Sequence, residues 1–137
     1  MRLLKSSEYA IRCLVYLAAQ SSELCSVKRL SDELEIPYKF LGRLMTQLGS
    51  AGLVEAVRGK SGGYRIARPL DAIRVADIVD AVEGMESYDR CLLGFPRCDD
   101  DNPCAMHDVW KGHKEGILDM LHETTLTRML ESGEFKH

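Results

Sequence analysis

The chain has 137 residues, 45% hydrophobic and 28% charged, which suits one compact domain, or a small domain with an arm, and is too short for two large cores. That apolar fraction and mixed charge exclude a disordered chain, and no stretch approaches the roughly 20 apolar residues of a membrane-spanning helix. The net charge of −3 conceals a division: residues 1–70 carry 11 Lys and Arg against 6 Asp and Glu, whereas residues 71–137 carry 7 against 15. A basic half joined to an acidic half points to a polyanion met at one end only.

Arg2 and Lys5 precede an apolar segment, but Glu8 and Arg12 interrupt it and no small-residue cleavage site follows. A cytoplasmic protein with no membrane partner is expected. Residues 8–19 place Tyr9, Cys13, Tyr16 and Leu17 at three- and four-residue intervals behind Ser6 and Ser7 as capping candidates, which predicts a helix with one buried face. Ser26 introduces a second helix carrying Val27, Leu30 and Leu34, and after the Glu35-Ile36 turn Pro37 opens a third.

In that third helix Leu41, Leu44, Met45 and Leu48 form the inner stripe, and Tyr38, Lys39, Arg43, Thr46 and Gln47 turn outward. An apolar inner face behind short polar and cationic groups is what a helix entering the major groove needs. Gly42 costs about 1 kcal/mol of helix propensity relative to alanine and leaves room for the backbone to approach a phosphate.

The segment 53–57 then reads as a strand, 58–63 as a tight turn and 64–68 as the return strand. Arg58, Lys60 and Ser61 stand among Gly59, Gly62 and Gly63 just before Tyr64, so cations sit at a hairpin tip whose glycines permit close contact with phosphate or the minor groove. Helix, turn, helix, hairpin is the winged-helix order, and Ile73 to Glu83 adds a fourth helix with Val75, Ile78, Val79 and Val82 inward. The expected fold is mainly α with one small β-hairpin.

Three regions are expected: a winged helix-turn-helix DNA-binding domain over 1–84, a cysteine-rich loop over 85–103 with Pro96, Pro103 and the acidic run Asp99–Asp101, and a long dimerisation helix with a tail over 104–137. The apolar stripe of Trp110, Ile117, Leu118 and Leu121 exceeds what a small core can cover, which predicts a second subunit. Residues 133–137 are expected to fray.

Five cysteines in a reducing compartment favour metal binding or redox sensing over structural disulfides. Cys13 lies on the apolar stripe of the first helix and is expected to act as a small hydrophobe, Cys25 to be incidental, and His113 and His122 to be surface residues. The spacing Cys91-x6-Cys98-x5-Cys104-x2-His107 gathers three thiols and an imidazole, with Cys104 and His107 expected on one helical face. Gaps of six and five can wrap an iron-sulfur core, whereas structural zinc favours two to four. Spacing alone leaves a cluster, zinc, a thiol switch and inert cysteines open. A redox enzyme built on such a cluster would need a cofactor-binding glycine motif or a second domain forming a cleft, and the sequence offers neither.

The line IPYKFLGRLMTQLGSAGLVEAVRGKSGGYRIAR, with IRVADIVDAVEG and the Cys91–Trp110 segment behind it, resembles the bacterial winged-helix regulators that include the iron-sulfur cluster regulator IscR and the nitric-oxide-sensing repressor NsrR. The resemblance covers nearly the whole chain, and the RGKSGGY wing is its most specific part. It implies a transcription regulator that is not an enzyme, a homodimer on a palindromic double-stranded DNA operator, and a [2Fe–2S] or [4Fe–4S] cluster on Cys91, Cys98 and Cys104. His107 is implied as the fourth ligand, with Glu8 of the partner subunit as the alternative. One extra residue between Cys91 and Cys98, the LLGFPR and DDDNP segments, and Gly42 where some relatives carry a base-reading side chain all depart from the pattern.

Overall fold

The computed structural model describes residues 2–132; the tail expected at 133–137 lies outside them. The first helix, α1 (Lys5–Ala19), buries Ala10, Cys13, Leu14, Leu17 and Ala18 along one stripe. It begins earlier than its capping serines suggested: Leu4 is the N-cap, and Ser6 and Ser7 lie inside the first turn. Ser7 is fully buried, and its hydroxyl donates to the Glu83 carboxylate, so tertiary contact took the place of capping.

Ser26 caps α2 (Val27–Leu34) by accepting from the Arg29 backbone N–H at 3.1 Å. The turn to α3 (Tyr38–Ser50) passes through Glu35 in the left-handed region (φ 55°) and is fastened by the Ser31 hydroxyl donating to the Ile36 carbonyl at 2.5 Å. Leu41, Leu44, Met45 and Leu48 of α3 face the core. Strands β1 (Val54–Val57) and β2 (Gly63–Ile66) pair antiparallel, Val54 opposite Ile66 and Val57 opposite Gly63. A short 3-10 turn, Leu70–Ala72, leads to α4 (Val75–Val82), and a second, Glu86–Asp89, leads into the loop.

Among the described residues, the one long helix expected after Cys104, ahead of the tail, is two helices. α5 (His107–Glu123) stops at Thr124, Thr125 caps α6 (Leu126–Glu131) by accepting from the Arg128 N–H at 3.1 Å, and α6 folds back on α1. Leu126 is 0% exposed within the main core, and its N–H donates to the Ile73 carbonyl at 3.0 Å. The buried leucine and the threonine cap outweigh continued helix. Part of the apolar stripe expected to meet a second subunit packs within the chain: Trp110 and Leu121 are buried, while Ile117 and Leu118, half-buried, pack against the cluster of Val75, Ala76, Val79 and Tyr88. Val109 and Met120 are the apolar residues that α5 leaves exposed.

Candidate functional site

Two regions carry the site residues expected from the sequence. On α3, Tyr38, Lys39, Arg43, Thr46 and Gln47 are all exposed. Tyr38, Lys39, Gly42 and Arg43 line an open hollow of about 590 Å³ together with Val27, and the missing side chain of Gly42 faces open space. The Thr46 hydroxyl donates to the Gly42 carbonyl at 3.1 Å, so what it turns outward is its methyl group and the oxygen's lone pairs. Phe40 points inward, where its ring meets Tyr9 edge-on at 5.5 Å.

Of the six wing residues expected to face DNA, Arg58, Lys60 and Ser61 stand exposed at the tip, while Gly62, Gly63 and Tyr64 are half-buried. The two glycines serve the chain's own closure. A Cβ on Gly62 would lie 2.0 Å from the Val57 carbonyl oxygen, and one on Gly63 would lie 2.6 Å from the Cys25 carbonyl. Cys25 is no bystander to the wing, because its backbone pairs with Tyr64 as a third strip of sheet. Arg68, just past β2, donates to the Ala51 and Gly52 carbonyls at 2.8 and 3.1 Å where α3 ends.

In the loop the donors fall into two pairs. The Cys91 and Cys104 sulfurs are 3.5 Å apart, and the Cys98 sulfur is 3.7 Å from His107 Nδ1. Cys104 precedes α5 rather than sharing a face of it with His107, since the helix begins at His107. Among the described residues no three His, Cys, Asp or Glu side chains converge as a holder for a single ion. Burial alone would push the Cys91 thiol up, but the backbone N–H groups of Phe95, Leu93 and Gly94 and the Cys104 thiol more than offset it, leaving the thiol below its ordinary value.

Glu8, the alternative ligand, sits on the first turn of α1, half-buried and paired with Lys5 at 3.6 Å. Cys13 is buried in the core, and His113 and His122 are exposed. All five cysteines are free thiols.

The model of a family described as iron-dependent transcriptional regulators, Rrf2, matches residues 3–132. The chain belongs to the Rrf2 family. It is 34% identical over 131 residues to a helix-turn-helix transcriptional regulator of Aquifex aeolicus, covering 94% of this chain and 90% of that one. It is 35% identical over 139 residues to the transcriptional regulator IscR of Cereibacter sphaeroides, covering 96% and 88%. In structure it is similar to T. potens IscR, with a TM-score of 0.76, 28% identity, and 98% and 89% coverage. It shares its fold with CymR, the global cysteine regulator of B. subtilis, with a TM-score of 0.82 at 23% identity over 98% and 99% of the chains. The Rrf2 chain is a transcription regulator with a mainly helical winged-helix fold and a two-stranded hairpin.

Four charged residues around the loop, Asp89, Asp100, Lys111 and Lys114, were given no role by the sequence. Lys114 is 7% exposed, and its ammonium lies 2.9 Å from Asp89; the Asp89 hydrogen bond, with a further contribution from Cys98, holds that ammonium above its usual value. Asp100 lies 2.8 Å from His107 Nε2 and 3.0 Å from Lys111 Nζ. Their sequence signal was weak, because an acidic run and helical lysines at ordinary spacing read as solvated surface. No helix among the described residues is long and apolar enough to cross a membrane.

Proposed function

We propose that this protein is a cytoplasmic, homodimeric DNA-binding regulator whose operator affinity is set by an iron-sulfur cluster held by Cys91, Cys98, Cys104 and His107. The observation that carries the reading is the pairing of the donors. Two ligands on one tetrahedral ion with bonds of about 2.3 Å stand about 3.8 Å apart. The Cys91–Cys104 and Cys98–His107 separations of 3.5 and 3.7 Å are near that value within each pair. Two two-point grips suit the two irons of a [2Fe–2S] core better than the single four-point grip of structural zinc. The depressed thiol of Cys91 adds an anion-ready donor. When bound, such a group supplies sensitivity to redox state, nitric oxide and iron-sulfur supply.

The chain's own contacts give a route from loop to reading head. Tyr88, three residues before Cys91, donates to Glu83 at 2.6 Å. The same carboxylate accepts from the Ser7 hydroxyl and from the Leu4 N–H at 3.1 Å. Ser6 then shares a hollow with Arg43 and Gln47 of α3. A loop that changes its hold on the Glu86–Asp89 turn thereby acts on the start of α1 and on the recognition helix beside it. Val109 and Met120, exposed on α5, offer the second copy an apolar surface, and a two-fold dimer reads half-sites about 34 Å apart on a palindrome.

A second reading has its own observation. The 3.5 Å sulfur separation of Cys91 and Cys104 also suits a thiol pair that oxidant closes into a disulfide. Iron and acid-labile sulfide counts after anaerobic purification decide between them. Two irons and two sulfides per chain, lost on replacing Cys98 while the dimer survives, support the cluster; iron-free protein whose Cys91 and Cys104 cross-link with oxidant supports the thiol switch.

A further inference from the structure

We propose that Asp100, held by Lys111, is the positioning residue for His107: it fixes the imidazole with its proton on Nε2 and presents the Nδ1 lone pair to the Cys98 side of the loop. This rests on the cluster reading for its purpose, but not for its geometry.

A carboxylate only accepts, so the Nε2 that lies 2.8 Å from Asp100 Oδ1 must carry a hydrogen. In a neutral imidazole the other nitrogen is then a bare donor of electrons, and that nitrogen, Nδ1, lies 3.7 Å from the Cys98 sulfur. His107 is 5% exposed, so water competes poorly for the ring. Lys111 holds Asp100 in turn, its ammonium donating to both carboxylate oxygens at 3.0 Å.

The chain order makes the device local. Asp100 lies between Cys98 and Cys104 in the loop, and Lys111 follows His107 by four residues on α5, so the pair clips the loop to the helix across the ligand. A carboxylate behind a ligating histidine fixes its tautomer and raises its basicity. The DDDNP segment thus supplies the group that aims the histidine.

The test starts on metal-free protein. Long-range ¹H–¹⁵N spectra of the histidine rings, with His107 assigned by its loss in His107→Ala, should show one tautomer protonated at Nε2 in the wild type. They should show a mixture in Asp100→Ala, and the single tautomer again in Asp100→Glu. An Nδ1-protonated ring in the wild type, or an Asp100→Ala spectrum unchanged from it, overturns the proposal. On anaerobically purified protein, Asp100→Ala should raise the midpoint potential of the cluster that remains bound, with Asp100→Glu returning it toward the wild type; an unmoved potential overturns the proposal. Wild-type protein without iron overturns the cluster reading alone, and the ring spectra still decide the role of Asp100.

Discussion

Cys25 and Tyr64 exchange two backbone hydrogen bonds, the Cys25 N–H to the Tyr64 carbonyl at 3.0 Å and the Tyr64 N–H to the Cys25 carbonyl at 2.8 Å. The wing is thereby tied to the segment that opens α2. Gly63 pays for that closeness, because its backbone (φ 155°) runs where a Cβ would strike the Cys25 carbonyl.

Gly63→Ala should therefore cost about 1–3 kcal/mol of stability and weaken operator binding together with it. Urea unfolding and fluorescence anisotropy on the same preparation check this. Unchanged stability would show that the Cys25–Tyr64 strip is not held in solution.

Arg58→Ala and Lys60→Ala should leave the fold intact, since both side chains stand exposed at the wing tip. Each should lower the slope of log affinity against log salt by about 0.9, the value for one lost phosphate contact, and do so alike on specific and unrelated DNA. An unchanged slope counts against the wing as a phosphate clamp.

Leu126→Ala tests whether α6 belongs to the winged-helix core. Its side chain is fully buried among α1 and core residues, so truncation should cost about 2–5 kcal/mol in chemical denaturation. A loss under 1 kcal/mol, on the scale of surface changes, would mean that α6 leaves the core in solution.

Burial pushes the Cys13 thiol up to about 12 from 9.0, with slight opposition from Arg12. The unfolded chain releases that proton near pH 9 and the folded chain keeps it, so this contribution to stability is fully present below pH 9 and is lost as pH rises toward 12. The slope is bounded by about 1.4 kcal/mol per pH unit. Wild-type stability measured from pH 8 to 10.5 should fall more steeply than that of Cys13→Ala; parallel curves would contradict the burial.

The winged-helix unit was legible in the sequence because its signals are local and repeated. The α3 stripe of Leu41, Leu44, Met45 and Leu48 and the glycine-flanked wing tip each declare an element at short range, and their order declares the fold. What stayed hidden was set by long-range contact. Ser6 and Ser7 read as caps until Glu83, far along the chain, claimed Ser7. Thr125 carries a capping side chain, but the apolar residues on either side of it read as one continuous helix, and only the pocket for Leu126 shows the chain turning back. In the loop, spacing named Cys91, Cys98, Cys104 and His107 and could not show that they stand as two pairs, because pairing across an irregular loop depends on backbone turns such as those of Leu93, Gly94 and Phe95 around the Cys91 sulfur. Lys114 and Asp100 were missed for the same reason: a charge acquires its role from what surrounds it.

The central claim is that the state of the loop's donors governs the grip of α3 and the wing on DNA. The most direct measurement is the affinity of one anaerobic preparation for its operator at fixed salt, before and after chelation and nitric oxide treatment, with iron counted in each sample. The account predicts bound iron at the start and an affinity change of about 5- to 150-fold, a coupling of about 1–3 kcal/mol, that tracks iron loss. An affinity that stays constant while the iron is removed would contradict it.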